Sequence, residues 1–448
     1  MKKYIIAIFS LILAVGTIQA QQKWSLEQCI EYALKNNITI KSSELNTKSQ
    51  EIKHQQAKNQ RLPDLSGSGS GSLNFGQSLN SENTYENKNT SIYSVGLNSS
   101  LSLFSGFQIK NSIEVQKYNL QASLEDLKKA KENISVNIAS AYLQVLLNKE
   151  LYQVALEQIK LSQTQVSRYE SMASIGKIPE GQVFEARAQL AKDKLSATES
   201  LSNLQLSLLD LSQLLDLKEW SDFDIVTPSI NMQALTPMIQ PADEVFNYAV
   251  TNKSTVKASE FRLKSNENSL KVSKGALYPK LSLWGSYSNR YYPDLQSIDP
   301  DNQTAYKVSF SKQFDINAGT AFGLSLSVPI FNRFDTRNNI KLSQFDVETA
   351  KLELDNTKKT LYKEIQQAWF NAQTASEKYK ASTEAVLNTE EAYRFAEEKF
   401  NNGRSTIYEF NEAEMNLASA RSNQLQAKYN YLFSIKILDF YKGEPLRL

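Results

Sequence analysis

Among 448 residues there is one cysteine, Cys29, and one histidine, His54. A single thiol excludes an internal disulfide, and neither residue has a second Cys or His with which to hold a metal. Prolines number 10 and glycines 15, too little punctuation for so long a chain unless its elements are very long. After the N-terminal stretch no segment approaches 18 consecutive apolar residues, so no helix is apolar enough to span a bilayer, though a barrel could still enter one. The net charge of +2 supplies no field for nucleic acid. A Gly-rich phosphate loop, a Gly-x-Ser-x-Gly elbow and a His-Glu-x-x-His pair are all missing. Acids such as Glu390-Glu391 and Glu397-Glu398 sit beside Lys and Arg, the pattern of a solvated helix face. The expectation is a chain that is no enzyme, holds no cofactor and binds no nucleic acid.

Lys2-Lys3, the apolar run Tyr4 to Val15 and the Ile18-Gln19-Ala20 segment read as a signal peptide over residues 1–20. No cysteine follows Ala20 directly, so no lipid anchor is expected there. Cys29 is expected to be a small buried hydrophobe in a helix.

What the chain does have is internal repetition, which must be found before any fold is assigned. Tyr32-Ala33, Asn36, Pro63, Leu65 and Ser66 return as Tyr248-Ala249, Asn252, Pro279, Leu281 and Ser282, each 216 positions later. From residue 32 to 66, 14 of 35 aligned positions are identical. Beyond that the offset becomes 227: Gly96-Leu97 matches Gly323-Leu324, Phe104 matches Phe331, and Gly176 matches Gly403. One insertion of 11 residues therefore separates two copies, 21–235 and 236–448, and it lies between the Pro-x-Leu-Ser motif and the Gly-Leu strand.

Each copy reads in one order. A helical stretch, Ser25 to about Leu62 or Ala242 to Leu277, ends at Pro63 or Pro279. Strands follow, within about 63–104 and 278–331. Tyr93, Val95, Leu97, Leu101 and Leu103 alternate with small polar residues, as do Leu281, Leu283 and Tyr287, and Leu324, Leu326, Val328 and Ile330. Period two with one apolar face is a half-buried strand. Loops near Gln77 to Thr90 and Tyr292 to Asn317 join the strands.

Then come long helical stretches to Gly176 and Gly403 without an internal proline, roughly 100 Å each at 1.5 Å per residue. Their apolar stripes run Ile134, Ile138, Ala141, Val145, Tyr152, Ala155, Ile159 and Leu361, Ile365, Ala368, Ala372, Ala375, Tyr379, the pattern of an antiparallel coiled-coil core. Each turns at its glycine and returns as a second long helix.

Four strands cannot close a barrel, and open edges are untenable in lipid. Either the strands form a soluble sheet or several chains pool them; three chains would give twelve. Phe75, Tyr93, Phe104, Trp284, Tyr287, Tyr291, Tyr292 and Phe331 would suit the aromatic belts of such a barrel.

The Val328-Pro329-Ile330-Phe331-Asn332 junction, the Pro-x-Leu turns at Pro63 and Pro279, and the post-tip segments Glu185 to Leu190 and Glu412-Ala413 resemble the TolC-like outer-membrane channels of efflux pumps and type I secretion systems. The resemblance covers essentially the whole mature chain. It implies a mixed α/β membrane protein, predominantly α, working as a homotrimer: a 12-stranded β-barrel in outer-membrane lipid on an α-helical tunnel in the periplasm. The tunnel tip would dock a periplasmic adaptor (membrane fusion) protein and an inner-membrane transporter, for which this chain is the passive exit duct. Gly176, Lys177, Gly403 and Arg404 would stand at that tip, where Arg404 fits either a latch to a neighbouring hairpin or a solvated turn. The acids six and nine places after the second tip glycine, Glu409 and Glu412, would ring the gate; Gln182 and Glu185 occupy the copy-one places. The opposing reading of these acids is that they complement a helix start. For the whole chain, the opposing reading is a periplasmic coiled-coil scaffold whose sheet never enters lipid.

Overall fold

Ser25 starts the first helix with a capping box: its hydroxyl accepts from Gln28 N at 3.3 Å, and its own N–H donates to Gln28 Oε1 at 2.9 Å. In this computed structural model, which describes residues 23–79, 84–228, 232, 239–301 and 303–447, helix α1 (Leu26–Asn36) ends after three turns. Asn37 breaks it. Its N–H closes α1 on the Ala33 carbonyl, while its Oδ1 accepts from Thr39 N at 2.9 Å and so opens α2 (Ile38–Asn59). The single stretch expected from Ser25 to Leu62 is thus two helices. The expected signal peptide, residues 1–20, lies outside the described residues.

Copy one continues with β1 (Ser66–Asn74), the short pair β2 (Gln77–Leu79) and β3 (Tyr85–Asn87), and the long β4 (Thr90–Ser105). Gly106, at φ +61°, turns the chain into the next helix; a Cβ there would lie 2.2 Å from the Gly275 carbonyl oxygen, so no side chain fits. Then come α3 (Gln108–Ser174) and α4 (Glu180–Leu214). Copy two follows with α5 (Ala242–Asn252), α6 (Ser254–Gly275), β5 (Lys280–Tyr291), β6 (Gln296–Ile298), β7 (Ala305–Lys307), α7 (Phe310–Ile316), β8 (Gly319–Ser327), α8 (Asp335–Asn401) and α9 (Ile407–Tyr441). The matched helices agree residue for residue in length: 11 in α1 and α5, 22 in α2 and α6, 67 in α3 and α8, 35 in α4 and α9. Lys253 breaks the copy-two stretch where Asn37 breaks the first, its N–H closing on the Ala249 carbonyl at 2.8 Å.

The main sheet has the order β1-β4-β5-β8, antiparallel throughout. Its register sorts the side chains cleanly. Leu97 opposes Tyr287, Leu101 opposes Leu283, Leu283 opposes Leu324, and Gly285 opposes Phe322 on one face. Ser68, Ser70, Ser94, Ser282, Ser286, Ser288 and Ser325 fall on the other. The apolar face is exposed: Phe322 is 79% and Leu324 65% accessible. A bulge between Ser102 and Phe104 brings Phe104 opposite Leu281 and so onto the apolar face. Two sequence expectations change here. Trp284 opposes Gly323 on the serine face, where the missing side chain of Gly323 leaves room for the indole, so it does not belong with the outer aromatics. Val328 and Ile330 lie beyond β8, which stops at Ser327 before Pro329 because proline cannot donate to the ladder.

The chain forms two compact units, each drawing on both copies: Met1–Asn46, Leu124–Lys257 and Asp355–Leu448 make one, Thr47–Ser123 and Ala258–Leu354 the other. The first is cored by Ile138, Tyr142, Val145, Leu146, Leu211, Leu215, Ile225 and Leu432, all under 2% exposed. Cys29 lies in the same core, and burial pushes its thiol up to about 12. The expected stripes are buried at Ile134, Ile138 and Val145 and at Leu361, Ile365, Ala368, Ala372 and Ala375.

Candidate functional site at the hairpin tips

Both tips are closed by the same backbone device. Gly176 N–H bonds the Ala173 carbonyl and Lys177 N–H the Met172 carbonyl, each at 2.9 Å; Gly403 bonds Phe400 at 3.0 Å and Arg404 bonds Lys399 at 2.8 Å. This pairing of a short and a long backward bond is a Schellman closure. It needs a left-handed residue, which the glycines supply at φ +72° and +68°. Lys177 and Arg404 follow directly, both exposed, where cations complement the carbonyl end of a helix.

The return helices start differently. Pro179 precedes α4 and offers no side-chain cap. Thr406 precedes α9 and forms a capping box with Glu409: Glu409 N–H donates to Thr406 Oγ1 at 3.3 Å, and Thr406 N–H to Glu409 Oε2 at 3.2 Å. Glu409 therefore has a local task, one carboxylate oxygen spent on the helix start and the rest of the group exposed. Glu412 is exposed one turn on. Gln182 makes no such box; its N–H returns to the Pro179 carbonyl.

The structure brings the two tips together. Val166, Tyr169, Val183, Ala186 and Leu190 of copy one share a buried cluster with Ile407 of copy two, and Phe400 packs against it. Phe400 stacks on Phe410 at 5.2 Å. Arg168 Nη1 donates to Asn401 Oδ1 at 2.8 Å, tying one hairpin to the other. Among the described residues Arg404 makes no ion pair, so within the chain the tie is made by Arg168 instead.

Sequence reasoning missed Arg168, and it missed Glu414. Glu414 is 3% exposed and accepts from Gln158 Nε2 and, at 3.1 Å, from Gln165 Nε2. Burial holds its carboxyl above the usual range, the neighbouring Asp193 charge adding and the two amides opposing. The signal was present: Ile407, Phe410, Glu414 and Leu417 form one helical stripe in which a single member is acidic. A groove of about 460 Å³ beside it is lined by Gln158, Glu390, Tyr393, Arg394, Glu414 and Arg421.

The sequence pattern of the outer membrane efflux proteins matches residues 29–216 and 245–443. The outer membrane efflux protein BepC of Brucella suis is 20% identical over 430 residues, covering 94% of this chain and 86% of BepC. The cation efflux system protein CusC of Escherichia coli K12 is 21% identical over 408 residues, 89% of this chain and 82% of CusC. The crystal structure of the Campylobacter jejuni outer membrane channel CmeC superposes with a TM-score of 0.78 at 19% identity, over 94% of this chain and 86% of that one.

Proposed function

We propose a working assembly for this chain, which belongs to the outer membrane efflux protein family and is an outer-membrane exit duct: three copies close one barrel, and their six helical hairpins line one passage. The observation that carries the assembly is the pair of open edges. The nine residues of β1 and the nine of β8 each have a partner on one side only. Because the four strands alternate in direction, β8 of one copy and β1 of the next run antiparallel, so the ladder can continue around a ring without a fault. The serine face then lines the passage and the leucine face meets lipid, the arrangement of outer-membrane barrels. Residues 21–235 and 236–448 act as two halves of each protomer.

The tips are the working end of the duct. Gly176, Lys177, Gly403 and Arg404 present the surface to a periplasmic adaptor, which couples the duct to an inner-membrane transporter. Glu409 and Glu412, three of each in the trimer, set a negative ring that attracts cations and repels anions. Cargo is selected by the transporter, since the duct supplies only walls.

The assembly is tested by native mass measurement of the protein extracted from outer membranes in mild detergent. A trimer that survives unheated electrophoresis is the expected result; a monomer found in the soluble periplasmic fraction would return the molecule to the scaffold reading.

A further inference from the structure

The 11 residues by which copy two exceeds copy one lie between β5 and β8, and that connection carries α7, a helix absent from the described part of the β1–β4 connection. Three side-chain amides pin it. Gln313, 1% exposed, donates through Nε2 to the Tyr292 and Val308 carbonyls at 2.9 Å each and accepts from Tyr292 N–H at 2.8 Å. Asn289 Nδ2 donates to the Phe314 carbonyl at 2.6 Å, and Asn317 Nδ2 to the Arg290 carbonyl at 2.6 Å.

Asn289 and Tyr291 belong to the apolar face of β5, in step with Leu281, Leu283 and Tyr287. Both touch α7: Asn289 through its amide, Tyr291 by packing edge-on against Phe310 at 5.0 Å. The helix therefore lies on the leucine side of the sheet. Tyr93 stacks on Tyr291 at 6.4 Å and Phe310 lies 5.8 Å from Phe314, which makes a continuous aromatic row. With the amides turned inward, Phe310, Phe314 and Ile316 are left outward, at 57%, 41% and 64% exposure.

Height places this row. From Leu281 to Tyr291 the strand covers about 33 Å, and a barrel tilt of about 40° reduces that to about 25 Å, the height of an outer-membrane apolar band. Tyr291 and α7 thus stand at the band's outer rim, where rings that are apolar on one side and wet on the other are favoured.

We propose that α7 is a lipid-seated foot. Phe310, Phe314 and Ile316 enter the outer leaflet at the boundary between acyl chains and headgroups, continuing the lipid contact of Leu283, Leu324 and Phe322, while exposed Lys312 stays in the polar layer. The inference rests on the barrel reading above, which the test separates from it.

Full-length protein is reconstituted into phosphatidylcholine vesicles with and without brominated acyl chains, in three variants: Phe314→Trp, Leu324→Trp on the strand, and Tyr85→Trp in the copy-one loop. The emission of the parent's four tryptophans is subtracted. The indole at 314 is expected to lose about half of its emission to brominated lipid, as an interfacial ring in acyl-chain contact should, and to resist iodide, unlike the Tyr85→Trp probe. Quenching by iodide but not bromine, with the strand probe still quenched by bromine, overturns the foot and leaves the barrel intact. Quenching by neither agent places α7 against protein and also overturns it. A strand probe that bromine does not reach overturns the barrel reading and the foot together.

Discussion

Two carboxylates behind the tips are buried on amide and hydroxyl donors. Glu414 of α9 faces Gln158 and Gln165 of α3. Asp193 of α4 is 8% exposed and is held by the Ser162 hydroxyl and, at 2.9 Å, by Gln189 Nε2. Neither has an ion-pair partner among the described residues. Tyr169 and Tyr393, whose hydroxyls burial pushes up to about 12, also feel the Glu414 charge. Since the folded-state pKa of Glu414 is raised above its ordinary 4.5, the folded chain binds this proton more readily than the unfolded one. The stabilising contribution is full below 4.5 and is lost as pH rises through the elevated value. Mild acidification should therefore tighten the α3–α9 contact. Glu414→Gln removes the charge, with one neighbouring glutamine turning its amide oxygen toward the new NH2, so it should flatten the dependence. Hydrogen exchange of α9 amides between pH 7 and 4.5 reads both effects. An unchanged slope in the variant would assign the titration elsewhere.

At the scale of the element, the start of α9 allows cap and charge to be separated. Thr406→Ala removes the hydroxyl from the capping box and should cost about 1 kcal/mol of helix stability, seen as faster exchange in the first turn of α9. Glu409→Gln retains the box, because an amide oxygen accepts equally from the Thr406 N–H, yet removes one charge per protomer. Glu409→Gln with Glu412→Gln should therefore raise basal conductance in planar bilayers, or weaken block by multivalent cations, without the exchange signature of Thr406→Ala. No electrical change would leave both acids as helix-start residues. The same element shows what could be read from sequence. The tip glycines and the 67-residue helices were legible because glycine and proline mark boundaries by steric rules that hold in any context. Asn37 and Lys253 were not, since each leaves the helix through an extended ψ, 131° and 133°, a conformation open to most residues. Helix α7 was hidden for a related reason: seven residues carry little periodicity, and what fixes them is a set of amide bonds from Asn289, Gln313 and Asn317. Trp284 shows a further limit: its aromatic character suits a belt, but strand parity, which assigns a face independently of residue type, puts it opposite Gly323 on the serine side.

For the whole molecule, assembly depends on which face of the sheet meets lipid. Single large apolar residues are common on protein surfaces, but a contiguous patch is not. Leu97, Leu283, Phe322, Leu324 and Leu326, all at least 40% exposed, share one face of one sheet. Adjacent β8 positions test it, because successive side chains point to opposite sides. Phe322→Arg would place a cation on the lipid side near mid-strand, a change that costs about 2–4 kcal/mol at the midplane of an outer-membrane barrel. Ala321→Arg places the same cation on the serine side, beside Ser286, where water in the passage can solvate it. The first variant should lose most of its heat-resistant trimer on unheated gels and unfold from vesicles at lower urea. The second should assemble like the parent and alter only conductance. Equal damage from both would mean that the two faces meet the same surroundings, as in a soluble sheet. Equal tolerance would mean that neither faces lipid. Only the asymmetric outcome is compatible with a sheet whose open edges are closed by its own copies inside a membrane.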